Sequence, residues 1–290
     1  MALLIELLSK ATIFLRSKNI ERPKCDAEWL FAHVLGCTRL ELYLRHRSTI
    51  DGASEARFRE LLLRRGAREP LQYILGEVDF CDVRLKVNAN VLIPRSETEW
   101  LVEWLMDYIK KHFPDALGPR SELAILDLGT GSGAIAIALA KKFPGSRIFG
   151  IDRSPLALKV ARENMYSNGI GNVRFGESDW YDILEKRGGK LFDIIVSNPP
   201  YLSQEEFDRA QDEIRKYEPR EALVAPNEGL GHVETILKGA PRFLKPNGIV
   251  ALETAASHPQ WLQKKYGEQF RRTEILRDLN KYDRFFIAQT

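Results

Sequence analysis

The spacing of hydrophobic residues changes close to residue 76, and this change divides the chain in two. Over residues 1–76, leucine, isoleucine, phenylalanine and tryptophan recur every three or four positions, which predicts amphipathic helices. In one of these helices Asp26 is the predicted N-cap and Gly36 the predicted C-cap. We therefore expect a small helical domain at the N-terminus.

The next segment, residues 77–95, alternates between apolar and polar residues, as a β-strand does. It predicts a β-hairpin that links two domains, with Asn88, Ala89 and Asn90 as its turn. A helix is expected to start at about Ser96. Its predicted capping box pairs Ser96 with Glu99.

From residue 96 to 290, short apolar runs alternate with helical patterns. This alternation predicts an α/β fold: a doubly wound, seven-stranded, mostly parallel sheet with helices on both faces. Ser154 is the predicted N-cap of one helix, and Pro155 occupies its first position. The last two predicted strands, at 272–279 and 284–290, have no helix between them, so we expect them to pair antiparallel.

Charge and composition are ordinary for a globular protein. The net charge of +3 is spread along the chain and is too small to indicate nucleic-acid binding by itself. One predicted helix carries a cluster of arginines: Arg57, Arg59, Arg64, Arg65 and Arg68. This cluster has two interpretations, a solvated helix face or a docking patch for an acidic or RNA-bearing partner.

The three cysteines, Cys25, Cys37 and Cys81, are odd in number and lack a CxxC spacing, which argues against a disulfide framework or a structural zinc site. The histidines show no HExxH spacing, so no catalytic metal is expected. No apolar run reaches about 18 residues, so we expect no membrane span. Glu6 interrupts the apolar start of the chain, which predicts an amphipathic helix there rather than a signal peptide. These features favour a cytoplasmic setting.

The sequence DLGTGSGA, residues 127–134, joins the first strand of the predicted sheet to its helix. Its glycines permit a tight turn and a close approach to a ligand, and amides at the helix start favour an electron-rich group. We therefore predict a cofactor-binding loop of five residues: Gly129, Thr130, Gly131, Ser132 and Gly133. The loop also fits G-x-G-x-x-A, so the pattern alone does not distinguish a dinucleotide from another nucleoside cofactor.

Two further cofactor contacts are predicted at the ends of the next two strands. Asp152 ends the second strand, where an acid accepts hydrogen bonds from ribose hydroxyls. Asp179 and Trp180 follow the third strand, and they could hold an adenine by hydrogen bonding and stacking. Ligands of open α/β sheets bind at the carboxyl ends of the strands, so these signals together predict a nucleoside cofactor.

The fourth strand ends in Asn198, Pro199, Pro200 and Tyr201. Proline lacks an N–H and disfavours the α-region for the residue before it, so these residues form a rigid tip. The tip offers two acceptors, the Asn198 side-chain oxygen and the backbone carbonyl of residue 198 or 199, beside the flat face of Tyr201. Such a tip suits a planar –NH2 group of adenine, cytosine or a carboxamide. Hydrogen bonds to that group would orient its nitrogen and stabilise the positive charge that develops as it attacks a methyl-sulfonium.

Taken together, these residues resemble a class I S-adenosylmethionine-dependent methyltransferase of the amino-group type. Three further segments, LQYILGEVDF (71–80), LIPRSETEWLV (92–102) and YEPREALVA (217–225), are similar to the HemK/PrmC family. Its members are N5-glutamine methyltransferases of peptide chain release factors. The resemblance extends over essentially the whole chain, including the helical N-terminal domain.

The resemblance implies that Gly129–Gly133, Asp152 and Trp180 line a site for S-adenosylmethionine (AdoMet), whose product is S-adenosylhomocysteine. It implies that Asn198–Tyr201 hold the glutamine of the release factor's Gly-Gly-Gln motif, and that Asn198 contacts both cofactor and substrate. Residues 1–76 would then dock the release factor. Arg95 and Glu97 would shape the active-site wall. The sequence leaves open whether the release factor is modified free or on the ribosome.

Two positions depart from the family pattern. Ser96 stands where the family usually has proline, and a serine can cap the same helix. In LETAASHPQ (252–260) the glycine of the family's L-E-x-G-x-x-Q is lost, which puts the shape of this loop and the substrate range in question. Asp278 and Arg284 keep the family's closing D-x-x-x-x-x-R pattern.

Two other hypotheses stay open at this point. An N6-adenine nucleic-acid methyltransferase uses the same four residues, but it usually has a larger basic target-recognition region, so we expect no direct DNA target here. A non-catalytic ribosome-associated assembly factor would use the fold as a scaffold. AdoMet binding and the identity of the methylated molecule distinguish the three hypotheses.

Overall fold

The computed structural model describes residues 2–119, 121–185 and 191–290, and the chain divides into two compact units. The first unit comprises Met1–Glu77 together with a short segment, Gln211–Tyr217. The second unit comprises Val78–Ala210 and Glu218–Thr290. The chain therefore passes between the units three times.

Helices, numbered along the chain, form the first unit, as the periodicity predicts for residues 1–76. They are α1 (Leu4–Ser17), α2 (Pro23–Leu35), α3 (Arg39–Leu44), α4 (Gly52–Gly66), α5 (Leu71–Leu75) and α11 (Asp212–Tyr217). The buried faces of α1 to α5 meet in one apolar core, in which the rings of Phe31 and Phe58 stack with centroids 3.7 Å apart. Gly36 ends α2 in the left-handed conformation (φ +59°), as predicted for a C-cap.

The prediction of Asp26 as an N-cap is wrong. Helix α2 begins three residues earlier, at Pro23, and Arg22 is its N-cap. Asp26 therefore lies within the first turn, where its carboxylate accepts a hydrogen bond of 2.7 Å from Nε of Arg65. Both side chains are almost fully buried. The acid acts in a buried ion pair rather than at the helix end.

All five arginines of the predicted cluster form ion pairs with carboxylates of the first unit. The pairs are Arg57–Glu60, Arg59–Glu55, Arg64–Glu69, Arg65 with Asp26 and Glu213, and Arg68–Glu213. Arg65 is buried, and Arg68 follows α4 instead of lying on it. These carboxylates compensate most of the positive charge of the cluster. Of the two interpretations, the solvated helix face therefore fits better, and it applies only to Arg57 and Arg59.

The second unit contains a two-stranded hairpin and a seven-stranded sheet. The strands are β1 (Glu77–Phe80), β2 (Val83–Lys86), β3 (Ala124–Leu128), β4 (Arg147–Asp152), β5 (Val173–Glu177), β6 (Phe192–Ser197), β7 (Leu244–Glu253), β8 (Arg272–Arg277) and β9 (Asp283–Gln289). The helices are α6 (Ser96–His112), α7 (Ala134–Lys142), α8 (Pro155–Ser167), α9 (Asp182–Glu185), α10 (Gln204–Asp208), α12 (Gly231–Phe243) and α13 (His258–Tyr266).

The large sheet has the order β5-β4-β3-β6-β7-β9-β8. The pairings among β5, β4, β3, β6 and β7 are parallel, whereas β9 pairs antiparallel with both β7 and β8. The predicted doubly wound, mostly parallel sheet of seven strands is thus confirmed, including its antiparallel end. The order reverses between β3 and β6, which is the position where open α/β sheets bind ligands.

Both faces of the sheet are covered, which explains why the strands consist of apolar runs rather than alternating patterns. On β3, Ile125 packs into a core with α6, α7 and the hairpin. Its neighbour Leu126 packs into a second core with α12 and α13. Successive residues of β3 therefore contribute to two different cores, and the polar strand ends are left at the sheet edge.

The hairpin turns earlier than predicted. Cys81 adopts a positive φ of 48°, which allows a tight turn between β1 and β2. The predicted turn at 88–90 does form, and the amide of Val91 donates to the Asn88 carbonyl at 3.1 Å, but it follows the hairpin.

The predicted capping box at the start of α6 is wrong as well. Arg95 is the N-cap, and its side chain makes no capping hydrogen bond. Oε1 of Glu99 accepts instead from the amide of Cys81 at 2.7 Å, so this carboxylate fixes the hairpin turn against α6. The cap predicted for α8 is confirmed: Oγ of Ser154 accepts from the amide of Ala157 at 3.2 Å.

No helix in the described part of the chain combines the length and apolar character needed to cross a bilayer.

Candidate active site

The carboxyl ends of four neighbouring strands, β5, β4, β3 and β6, surround a cavity in the second unit. The registers of the paired strands bring these ends level with one another. Leu128 pairs with both Ile151 and Ser197, and Asp152 pairs with Glu177. The loops that follow the strands therefore meet at one edge of the sheet, as expected for a ligand site.

Half of the predicted site residues line this cavity, and the other half do not. Those that line it are Gly129, Gly131, Asp152, Asp179, Trp180, Asn198 and Pro200. Those that do not are Thr130, Ser132, Gly133, Pro199 and Tyr201, together with Arg95 and Glu97. Several residues that were not predicted also line the cavity, among them Asn90, Val91, Leu92, Arg153, Glu221 and His232.

The three glycines of the loop all have positive φ, but they serve different purposes. Gly129 (φ +69°) lines the cavity, and a Cβ there would stand 3.8 Å from the ring of Trp180. A side chain at Gly129 would thus fill the space between the loop and the indole. Gly133 (φ +82°) starts α7, and a Cβ there would come within 2.8 Å of Ile137. Gly129 leaves space for a ligand, whereas Gly133 permits close packing.

The loop amides are largely used within the protein, contrary to the expectation that they would face an electron-rich group. The amide of Gly131 donates to Oδ2 of Asp152 at 2.8 Å. The amide of Ala136 donates to Oδ2 of Asp127 at 3.2 Å, and that of Gly133 donates to the Thr130 carbonyl at 2.8 Å. A pyrophosphate at this helix start would have to displace carboxylates, so the loop does not suit a dinucleotide.

Asp127 adds negative charge behind the loop. Its side chain is 1% exposed, and its Oδ1 has no hydrogen-bond partner among the described residues. Burial raises the pKa of this carboxyl to about 7, although hydrogen bonds from Thr130 and Ala136 oppose the rise. An unpaired buried carboxylate oxygen favours a ligand that carries positive charge.

Asp152 is held in place by two backbone amides. Its Oδ1 accepts from Ser154 at 2.8 Å, and its Oδ2 accepts from Gly131. Burial raises the pKa of this carboxyl, and the same two amides oppose the rise. A carboxylate has about four lone-pair sites, so two remain for the ribose hydroxyls that the sequence predicts as donors.

An aromatic pair closes the far side of the cavity. The rings of Trp180 and His232 lie 5.3 Å apart at an interplanar angle of 49°. Burial and the nearby charge of Arg153 lower the pKa of His232, which keeps its imidazole neutral at neutral pH. A neutral imidazole and an indole together suit the face of an aromatic base.

The tip after β6 is fixed through its side chains. Nδ2 of Asn198 donates to Oγ1 of Thr98 at 2.9 Å, so its Oδ1 remains available as an acceptor. Pro199 is buried and Pro200 lines the cavity. The hydroxyl of Tyr201 donates to Oε1 of Glu253 at 3.2 Å. Burial and the charge of Glu253 raise the pKa of Tyr201, so its phenol stays neutral and is no base.

Two of the three segments that carry the family resemblance are joined to each other in the second unit. Arg95 pairs with Glu218 at 2.5 Å, which connects the segments 92–102 and 217–225. The amide of Leu202 donates to the Leu223 carbonyl at 2.9 Å, which connects the latter segment to the tip. Asp278 and Arg284 also pair, at 3.4 Å.

Sequence reasoning missed Thr98, Asp127, Glu253 and His232. The sequence does give a local indication for Asp127 and Glu253, since each is an acid within an apolar strand. Burying a carboxylate is costly, so an acid in such a strand indicates a functional role. Thr98 had none, since nothing in a helix start predicts a partner on a distant loop. His232 lies on α12, which carries no motif that would indicate a cofactor contact.

Comparison with known proteins gives the same assignment. Residues 6–76 match the PrmC N-terminal domain, and residues 119–284 match a methyltransferase domain. The release factor glutamine methyltransferase of Chlorobaculum tepidum is 39% identical over 283 residues, which cover 97% of this chain and 95% of that protein. The corresponding protein of Rhodopirellula baltica is 35% identical, over 98% of this chain and 95% of its own length.

Solved structures with this fold include a T. thermophilus 16S rRNA N2 G1207 methyltransferase in complex with AdoMet and guanosine. It has a TM-score of 0.50 at 18% identity, over 74% of this chain and 49% of its own. The hMettl16 catalytic domain has a TM-score of 0.51 at 12% identity, over 82% of each chain. These two likenesses concern the fold alone. The near full-length similarity at 35–39% identity decides the family, and this chain belongs to the release factor glutamine methyltransferases.

Proposed function

We propose that this protein transfers a methyl group from AdoMet to the side-chain amide nitrogen (N5) of the glutamine in the Gly-Gly-Gln motif of peptide chain release factors. The observation that carries the proposal is the position of Asn198. Its side chain borders the cavity, and its Nδ2 is already bound to Thr98, which leaves Oδ1 to accept from a substrate amide. The similarity to release factor glutamine methyltransferases over nearly the whole chain supports the same substrate.

The residues around the cavity fit AdoMet better than a dinucleotide. The carboxylates of Asp127, Asp152 and Asp179 would repel a pyrophosphate at this site. Two of them, Asp127 and Asp152, already accept hydrogen bonds from backbone amides at the loop. Asp152 would hold the ribose, and Trp180 with His232 would hold the adenine. When bound, AdoMet supplies an electrophilic methyl group on a sulfonium centre.

The protein's own contribution to the reaction is positioning and charge stabilisation. An amide nitrogen is a poor nucleophile because its lone pair is delocalised into the carbonyl. Oδ1 of Asn198 and a backbone carbonyl of the tip would accept from the two N–H groups, and so orient the nitrogen and stabilise its developing positive charge. No strong base is needed for the attack, because the proton can leave to solvent afterwards.

The helical unit is proposed to dock the release factor. It presents a groove with exposed apolar side chains, such as Ile13 (62% exposed) and Tyr43 (51%), next to Arg16, Lys24 and His46. An apolar groove bordered by bases suits a protein surface with acidic residues.

The test is mass spectrometry of an unmethylated release factor after incubation with this protein and AdoMet. We expect one added methyl group on the glutamine of the Gly-Gly-Gln motif. Asn198→Ala should lower turnover about a hundredfold or more, because it removes an acceptor aimed at the reacting amide, while AdoMet binding weakens only moderately. The matched control is Asn280→Ala, which changes an exposed asparagine outside the cavity.

The same experiment addresses the other two hypotheses. Labelled methyl transfer to DNA or RNA, with none to the release factor, would replace the proposed substrate by adenine. A protein that binds no AdoMet would be a scaffold. Unchanged turnover in Asn198→Ala would contradict the proposed role of the tip.

A further inference from the structure

Glu253 lies at the end of β7, where it is 1% exposed. Within the described residues no lysine, arginine or histidine nitrogen lies within ion-pair distance of its carboxylate. Two hydroxyl groups hold it instead: Oγ1 of Thr98 donates to Oε2 at 2.7 Å, and the Tyr201 hydroxyl donates to Oε1 at 3.2 Å. A buried carboxylate without a cation is costly for the fold, so its retention calls for another explanation.

The hydrogen bonds around Glu253 form one directed chain that ends at the proposed substrate site. Thr98 has a single hydroxyl proton. Since it donates this proton to Glu253, its oxygen can only accept from Asn198, and the amide group of Asn198 must turn its NH2 towards Thr98. The acceptor Oδ1 is thereby left for the cavity. The charge on Glu253 thus decides which end of the Asn198 amide faces the substrate.

The opposite orientation requires a proton on Glu253. If the Asn198 amide flipped, its oxygen would need the Thr98 proton, and Thr98 would then have to accept from a protonated Glu253. The flipped amide would present an NH2 group to the substrate's own NH2 group, and two donors repel. The same carboxylate fixes the Tyr201 hydroxyl, so it holds both ends of the tip.

We propose that Glu253 is a positioning residue for methyl transfer, which acts through Thr98 on the Asn198 amide and directly on Tyr201. This inference rests on the proposed function, since it concerns the orientation of the substrate amide in that reaction. Glu253 does not line the cavity, so it is no catalytic residue.

The ionisation of Glu253 connects the proposal to pH. Burial raises its pKa to about 7, while hydrogen bonds from Thr98 and Tyr201 and the charge of Arg284 on β9 oppose the rise. Glu97 on α6 adds to it. The charged form that orients Asn198 is therefore lost as the pH falls below about 7, and wild-type turnover should fall with it.

The test compares turnover at saturating AdoMet and release factor with the affinity for AdoMet, in four variants. Glu253→Gln and Thr98→Val should each lower kcat about 10- to 100-fold and leave the AdoMet Kd within about threefold. The glutamine has one acceptor oxygen for two hydroxyls, so it no longer requires Thr98 to donate, and valine has no hydroxyl to orient Asn198. Thr98→Ser keeps the hydroxyl and should restore turnover. Glu234→Gln is the matched control, because Glu234 is also buried and accepts from a tyrosine hydroxyl, that of Tyr266 at 2.6 Å, yet does not line the cavity.

The pH profile separates positioning from a merely structural role. Wild-type kcat should rise through about pH 7, and Glu253→Gln should lose this rise, whereas Glu234→Gln should keep it. If Glu253→Gln fails to fold, the contrast between Thr98→Val and Thr98→Ser decides the matter. A release factor methylated by the wild type and equally fast by Thr98→Val would overturn the positioning role alone. A wild type that methylates no release factor would overturn the proposed function and this proposal with it.

Discussion

Arg95 and Glu218 lie 123 positions apart in the chain and form an ion pair of 2.5 Å. The Glu218 side chain is 2% exposed, and its other oxygen accepts from the amide of Ile93 at 3.2 Å. One buried carboxylate thus joins the segment before α6 to the segment that returns to the second unit at residue 218. The ion pair explains why the first of these segments carries Arg95 and the second carries Glu218.

Replacement of Glu218 by glutamine should lower the free energy of unfolding by about 2–4 kcal/mol, because it leaves Arg95 without its counter-charge and weakens the bond to Ile93. Urea unfolding measures the change. The control is Glu274→Gln, whose exposed pair with Arg272 spans 3.6 Å and should contribute less than about 1 kcal/mol. A loss no larger than that of the control would show that the buried pair does not hold the two segments.

Asp152→Asn should raise the Kd for AdoMet about 10- to 100-fold. The asparagine has one acceptor oxygen, so its NH2 group must face the amide of either Gly131 or Ser154, and the loop must shift. Calorimetry measures the affinity. Asp107→Asn, an exposed acid on α6, makes the same change in charge outside the cavity and should bind AdoMet as the wild type does. Equal affinities in both variants would refute the ribose role of Asp152.

The contribution of Asp127 and Glu253 to folding stability without ligand should decrease as the pH rises from about 4 to 7. Asp127 and Glu253 have pKa values of about 7 when folded, against ordinary values of 3.8 and 4.5. The folded state therefore binds more protons than the unfolded state in this window, so stability is fully present at the acid end and is lost towards neutral pH. For each of these two carboxyl groups, the folding stability lost across this pH window is on the order of 3 kcal/mol.

Asp127→Asn isolates one of these two contributions. The asparagine oxygen can still accept from Thr130 and Ala136, and its NH2 group replaces an oxygen that has no partner. Urea unfolding at pH 5 and pH 8 should show a smaller difference in this variant than in the wild type. The same difference in both proteins would mean that Asp127 does not titrate in this range.

Local patterns were sufficient for the sheet of the second unit and for the part of its cavity that the strand ends form. The apolar runs of β3 and β6 are buried on both faces, and the polar ends of β3, β4, β5 and β6 collect at one edge by the geometry of parallel strands. The sequence therefore predicted Gly129, Asp152, Trp180 and Asn198 as neighbours. The reason is that each follows its own strand directly.

Contacts between distant segments could not be predicted in this way. Glu99 has the spacing of a capping box, but its carboxylate binds the amide of Cys81, an interaction that depends on the hairpin turn. Thr98 and Glu253 are 155 positions apart, and only the packing of α6 beside β7 brings them together. The segment Gln211–Tyr217 joins the helical unit through Glu213, which no periodicity indicates.

Arg65→Met should destabilise the first unit by about 3–5 kcal/mol. The guanidinium donates to Asp26 at 2.7 Å, to the Glu69 carbonyl at 3.0 Å and to Glu213 at 3.1 Å. Its loss leaves the buried Asp26 without a cation and leaves Glu213 with Arg68 alone. Thermal unfolding measures the effect, and limited proteolysis should show earlier cleavage next to 211–217. Arg59→Met is the control, because its exposed pair with Glu55 spans 3.5 Å and contributes less than about 1 kcal/mol. An unchanged stability in Arg65→Met would show that the buried pairs do not anchor the segment Gln211–Tyr217. If Arg59→Met raised the KM for the release factor and left stability unchanged, the arginines of α4 would act in docking.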